Sequence, residues 1–244
     1  MTSAIRTAMF TTNAMAEPGV DPLYRLLAWL SPAYPVGAFS YSHGVETAVE
    51  EGFIKDRASL VGWLESVLER GTGLVDGALF AAAWRAVEAA DWPAFDDVAE
   101  RAAAWRGTSE MALESRQQGG SFLSITRTAW PHLALDTAHE RTGGELALPV
   151  AVALAAVAHD IALEAALLGY LHAFAANLIS AAVRTVPLGQ TDGQRALAAL
   201  EAAVRRTAEA ALAATSLDEI GTATPLLDWC SLRHETQYTR LFRS

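Results

Sequence analysis

Apolar residues recur along this chain at the spacing of a helix. Over residues 56–71, Leu60, Leu64, Val67 and Leu68 form one stripe, because residues three and four apart return to the same helical face. Over 194–213 the stripe is Leu197, Leu200, Val204 and Leu212, while Glu201 and Arg205, four apart, support the opposite face. No segment bounded by turn residues alternates apolar and polar positions, and no internal repeat is visible. Abundant alanine lets helices approach closely. The expected architecture is therefore an all-α, single-domain helical bundle of roughly eight to ten helices.

Punctuation places the helices. Asp21 is the expected N-cap of the first, with Pro22 at its first position, where the missing N–H costs nothing. Pro32 and Pro35 forbid its continuation. A second helix is expected to start after Ser40, with Ser40 as its cap, and to stop near Gly52; Asp56 caps the third. Further helices are expected over 75–90, 92–107 and 109–119, with a break at Gly119–Gly120 before the pattern resumes to Trp130. Pro149 opens another, Asp160 caps a long uncharged helix ending near Pro187, and one helix covers 194–213. A last helix begins at Pro225. Residues 1–20 read as an unstructured leader, 21–230 as the helical domain and 231–244 as a partner-binding tail.

Hydrophobic residues make up 52% of the 244 and charged residues 19%, enough to bury a core. A net charge of -10 argues against nucleic acid, since phosphate binding needs surplus Lys and Arg. Cys230 is the only cysteine, so no disulfide can form within the chain and a cytoplasmic setting is expected. The leader lacks the apolar region of a signal peptide. Residues 165–183 carry no formal charge and are long enough to span a membrane. Alanine supplies most of their bulk, however, and His172, Asn177 and Ser180 interrupt them, so a buried helix and no membrane is the expectation.

Candidate chemistry is sparse. Ser40 and Ser42 near His43 lack the strand and G-x-S-x-G turn of a nucleophile elbow. His43, Glu46 and Glu50 would share a face if the helix began early enough, and Cys230 and His234 are four apart. These weak metal candidates, His43, Cys230 and His234, fall short of the three or four ligands of a tight site, and their imidazole and thiolate groups would suit nickel, copper or zinc. His132 and His139 are two turns apart. Glu110 and Glu114 beside Arg116 read as a solvated, salt-bridged face. No phosphate-binding loop is present.

Three segments look built for contact. In "SPAYPVGAFSYSHGVE" the prolines break the chain, Phe39 is expected to plug the core, and Tyr41 and His43 are left for the surface. "ESRQQGGS" sets Glu114, Arg116, Gln117 and Gln118 ahead of two glycines, where another backbone can approach. "SLRHETQYTRLFRS" carries Arg233, Tyr238, Arg240, Leu241 and Phe242, residue types favoured as interface anchors.

With "AAVRTVPLGQTDGQ", these segments resemble the four signature regions of the UreF-type urease accessory proteins, in the same order, from Leu30 to the last residue. The resemblance implies an all-α homodimer without catalytic activity or a tightly bound cofactor. It implies a role in maturing the dinuclear nickel centre of urease, with nickel in transit through the complex. The implied partners are the accessory protein UreD (also UreH), the nickel-carrying GTPase UreG and, through them, apo-urease. GTP hydrolysis would be coupled to nickel release. Tyr41 matches the tyrosine of the family's S-Y-S motif, and Glu114, Arg116, Gln117 and Gln118 match its polar helix motif. Arg240 matches the tail arginine of the R-L-F pattern implicated in partner contacts. An arginine supplied in trans accelerates GTP hydrolysis in other systems. Arg116, Arg233 and Arg240 are the candidates for such an activator role here, a reading that stands beside scaffolding and direct nickel binding.

Overall fold

The computed structural model describes residues 21–244; the leader expected over 1–20 lies outside the described residues. The described residues are helical, without strands. Helix α1 spans Pro22–Trp29 and α2 Val45–Glu50, with a short 3-10 turn at Ala38–Ser40 between them; α3 is Arg57–Arg70, α4 Thr72–Glu88, α5 Trp92–Ala104 and α6 Ser109–Ala129. Then come α7 Leu133–Thr142, α8 Leu148–Ala158, α9 Leu163–Thr185, α10 Gln190–Ala199 and α11 Glu201–Ala213, a 3-10 turn at Leu217–Glu219, and α12 Pro225–His234. The all-α expectation holds.

Local chemistry accounts for the starts. The Asp21 carboxylate accepts from Leu23 N ahead of Pro22, and Asp56 and Ser59 form a reciprocal capping box at α3. Helix α8 is apolar all round and lies at the centre, buried from Pro149 to Ala156. It packs against α4 and α6, and α4 also packs on α3, α5 and α11. Small residues set these distances: a Cβ at Gly77 would lie 2.8 Å from the Ala211 Cβ.

Four expectations are corrected. Helix α6 runs unbroken through Gly119–Gly120. Gly119 is there for packing, since its Cβ would stand 2.0 Å from the Leu146 carbonyl oxygen. The stripe over 194–213 belongs to two helices joined at buried Leu200. The long helix α9 has Ala162, not Asp160, at its N-cap position, while Asp160 adopts a positive φ of 57° in the preceding turn. Ser40 belongs to the 3-10 turn, and the hydroxyl that accepts at the start of α2 is that of Ser42, from Glu46 N at 3.2 Å. Helix α9 is long and apolar enough to cross a membrane, and half of that stretch is buried inside the fold.

Candidate partner-docking site

The junction between α1 and α2 turns tightly. Gly37, His43 and Gly44 have φ values of 76°, 54° and 77°, a region that costs glycine little and strains histidine. The turn reverses the expected exposures. Phe39 is 68% exposed, whereas Tyr41 and His43 are 2% and 4% exposed. Burial of the two polar rings is possible because each finds partners. The Tyr41 hydroxyl donates to Gln117 Oε1. His43 Nδ1 lies 3.1 Å from Glu114 Oε2, and its Nε2 lies 2.8 Å from Thr72 Oγ1.

Helix α2 packs against α9 and α12. Its Glu46, together with Glu110 and Glu114 four apart on α6, forms a buried carboxylate floor. The expectation of a solvated face for Glu110 and Glu114 is therefore wrong: the tail covers them. Glu46 accepts from the backbone N–H groups of Leu241 and Phe242 at 2.7 and 3.0 Å. Glu110 accepts from Arg240 at 2.8 Å. Glu114 accepts from the Ser244 hydroxyl at 2.9 Å and from Gln118 at 3.2 Å. Backbone bonds complete the seam: Arg243 N donates to Ser40 O at 2.8 Å and Ser42 N to Ser244 O at 2.9 Å. Between the floor's two sides stands His234, fully buried, with Nδ1 2.7 Å from Glu110 and Nε2 3.1 Å from Glu46. Helix α12 runs through Ser231 to His234, so the tail leaves the helical body at Glu235 rather than at 231.

A buried charge needs both an opposite charge and hydrogen bonds. Burial by itself would raise the Glu114 pKa; the facing His43 and the Ser244 hydroxyl outweigh it and hold the carboxyl below its usual range. The weak metal candidates are committed elsewhere. His43 and His234 spend both ring nitrogens on the bonds just described, and burial pushes the Cys230 thiol up to about 12, far from the thiolate that binds metal. No group of three or more His, Cys, Asp or Glu among the described residues is arranged to hold a metal ion.

The tail is thus split by face. Phe242 is buried beneath the Arg184 guanidinium, 4.3 Å from its ring centroid. Tyr238 is fully exposed and Leu241 61% exposed. Arg233 reaches over Trp229 and toward Glu51. Arg116 and Gln117 are exposed on α6, while Gln118 is buried. Of the sequence candidates, Tyr41, His43, Glu114, Gln117, Gln118, Arg240, Leu241 and Phe242 converge on this seam, and Arg233 and Tyr238 lie at its edge. Glu46 and Ser42 do structural work that sequence reasoning assigned to metal binding or to a failed nucleophile. Their place inside the same signature segment was the available signal. Beside the seam opens a cavity of about 270 Å³, walled by Trp29, Tyr34, Phe39 and Phe174, with His43 and Glu114 also on its lining.

A family model described as UreF matches residues 54–201. A urease accessory protein UreF of Granulibacter bethesdensis is 52% identical over 229 residues, 94% of this chain and 97% of the relative. One from Rhodopseudomonas palustris strain HaA2 is 56% identical over 94% of this chain and 96% of its own length. One from Bradyrhizobium diazoefficiens is 50% identical over 97% of this chain and its whole own length.

Proposed function

The chain belongs to the UreF family of urease accessory proteins and serves urease maturation; we propose that it does so as a non-catalytic scaffold that bridges UreD (UreH) and the GTPase UreG. The GTPase would hydrolyse GTP, and the scaffold would couple that step to delivery of nickel, the cargo, into apo-urease in the cytoplasm. The observation that carries this reading is the docked tail. A carboxylate floor fixes the tail's backbone, so that Tyr238, Leu241 and the arginines are held outward without further ordering. A preformed surface avoids the entropy that a free tail would lose on binding. Self-association as a homodimer fits a different face. Leu23, Tyr24 and Leu27 of α1 and Leu168 of α9 are exposed, and α9 is uncharged from Ala165 to Val183, so two acidic copies could meet there without repulsion.

Removing the whole tail is a poor test, because it would strip three buried carboxylates of their tail partners and leave them only His43, Gln118 and His234. Leu241→Ser alters only an outward side chain. Capture of purified UreD or UreG by this variant is expected to weaken at least about tenfold with the melting temperature unchanged. Unchanged capture would defeat the tail reading. The second reading is activation of UreG by an arginine acting in trans. It is favoured for Arg116, which is exposed and has no carboxylate partner among the described residues, over Arg233 and Arg240, which are ion-paired. Single-turnover GTP hydrolysis by UreG with and without saturating protein separates the two readings. Direct nickel binding has less support, since the ring nitrogens of His43 and His234 are engaged and the Cys230 thiol is held protonated.

A further inference from the structure

The tail seam carries a charge imbalance that folding does not require. Arg233 and Arg240 have carboxylate partners, Glu51 at 3.9 Å and Glu110 at 2.8 Å. Arg116, Arg184 and Arg243 have none within ion-pair distance among the described residues. All three are exposed; contacts tie Arg184 and Arg243 to the seam, and Arg116 adjoins it in sequence on α6. Arg184 covers the ring of Phe242 at 4.3 Å, Arg243 lies 6.0 Å from the ring centroid of Tyr41, and Arg116 precedes Gln117, which accepts the Tyr41 hydroxyl.

The carboxylates of the seam itself, Glu46, Glu110 and Glu114, are buried beneath the tail and already spent on it. Arg184 is held partly out of water against an aromatic ring, and that burial lowers its pKa. A guanidinium so placed is incompletely solvated and unpaired, and an arriving carboxylate would relieve both conditions through bidentate hydrogen bonds. Outward Leu241 and Tyr238 add an apolar contact beside the charges.

We propose that Arg116, Arg184 and Arg243 form the receiving half of an ion-paired interface, and that its occupant is an acidic segment of a protein partner bearing an apolar side chain for Leu241. This deepens the scaffold reading and rests on it. The interface would stand out in a protein whose surface otherwise repels acidic partners, so it would confer orientation as well as affinity.

The test measures binding of purified UreD and UreG to the full chain at 50 and 300 mM salt. The wild type is compared with Arg184→Glu/Arg243→Glu, with Arg116→Glu, and with the remote control Arg205→Glu on α11. Arg116 is exposed and makes no side-chain hydrogen bond or ion pair among the described residues, so its variant stays informative if the double variant unfolds. The expected result is binding to one partner that weakens about tenfold or more between the two salts, a comparable loss in the seam variants and no change in the control. In addition, Arg243→Lys with a carbodiimide should crosslink position 243 to a partner Asp or Glu. Wild-type binding indifferent to salt and to both seam variants would overturn this inference alone. No wild-type binding to either partner would overturn the scaffold reading with it. Protection of the seam by GTP or inorganic phosphate, without either protein, would reassign the arginines to a phosphate and overturn the acidic-segment proposal.

Discussion

His159 is a single residue whose environment makes the protein acid-sensitive. Its Nδ1 lies 3.1 Å from the Arg25 guanidinium, from which it accepts, and its Nε2 donates to the Trp130 carbonyl at 3.1 Å, so the ring is neutral. Burial, then Arg25 and the neighbouring His132, hold its pKa down at about 4. The unfolded chain would take up that proton near the ordinary value of 6.5. Between those values the unfolded state binds more protons, so stability falls as pH falls from 6.5 toward 4. The loss is at most about 3 kcal/mol. Unfolding midpoints in urea at pH 7.0 and 4.5 should differ, and His159→Gln should shrink the difference. An undiminished difference in the variant would place the acid sensitivity elsewhere. Glu114, whose pKa is lowered, adds a loss at still lower pH, as the carboxylate that holds Ser244 becomes protonated. No sequence signal marked His159 for this role, because nothing local says that a histidine ending one helix will meet an arginine from the first.

Among elements, α6 is the one whose sequence and structure disagree most usefully. By helix propensity, Gly119→Ala should stabilise by about 1 kcal/mol. By packing it should destabilise, since the new Cβ would stand 2.0 Å from the Leu146 carbonyl oxygen and 2.7 Å from the backbone of Ala147 and Leu148 at the start of α8. Backbone cannot move aside as a side chain can, so packing wins and the net loss is expected to be roughly 3 kcal/mol or more. Gly120→Ala meets only the Gly144 carbonyl, at 3.3 Å, and should be much milder. Thermal unfolding of the two variants gives the order; equal effects would mean that α6 and α8 can separate. Periodicity made the helices either side of this pair legible. It read the glycines as a stop because a glycine that ends a helix and one that admits a neighbour look alike until the neighbour is known.

At the scale of the whole molecule, Glu46 joins three parts distant in sequence. It sits on α2, faces His234 of α12 and accepts from the tail at Leu241 and Phe242. Glu46→Ala should therefore release the tail and lower global stability by about 2–4 kcal/mol, because His234 and two backbone donors lose their acceptor. Hydrogen exchange at Leu241 and Phe242 reads the first effect and chemical denaturation the second; retained protection would show that Glu110 and Glu114 suffice. The sequence alone determined the helical class, most helix starts and the segments that matter. Those follow from apolar spacing, capping side chains and proline, all of which act within a few residues. It also singled out Tyr41, His43, Glu114, Arg240 and Phe242. Only the tertiary structure decided their roles: Phe39 outward with Tyr41 and His43 inward, Glu110 and Glu114 buried under a tail rather than solvated, and His234 clasped by carboxylates rather than paired with Cys230. Burial of a polar group depends on partners brought from elsewhere in the chain, and that closure is a property of the fold rather than of any local stretch.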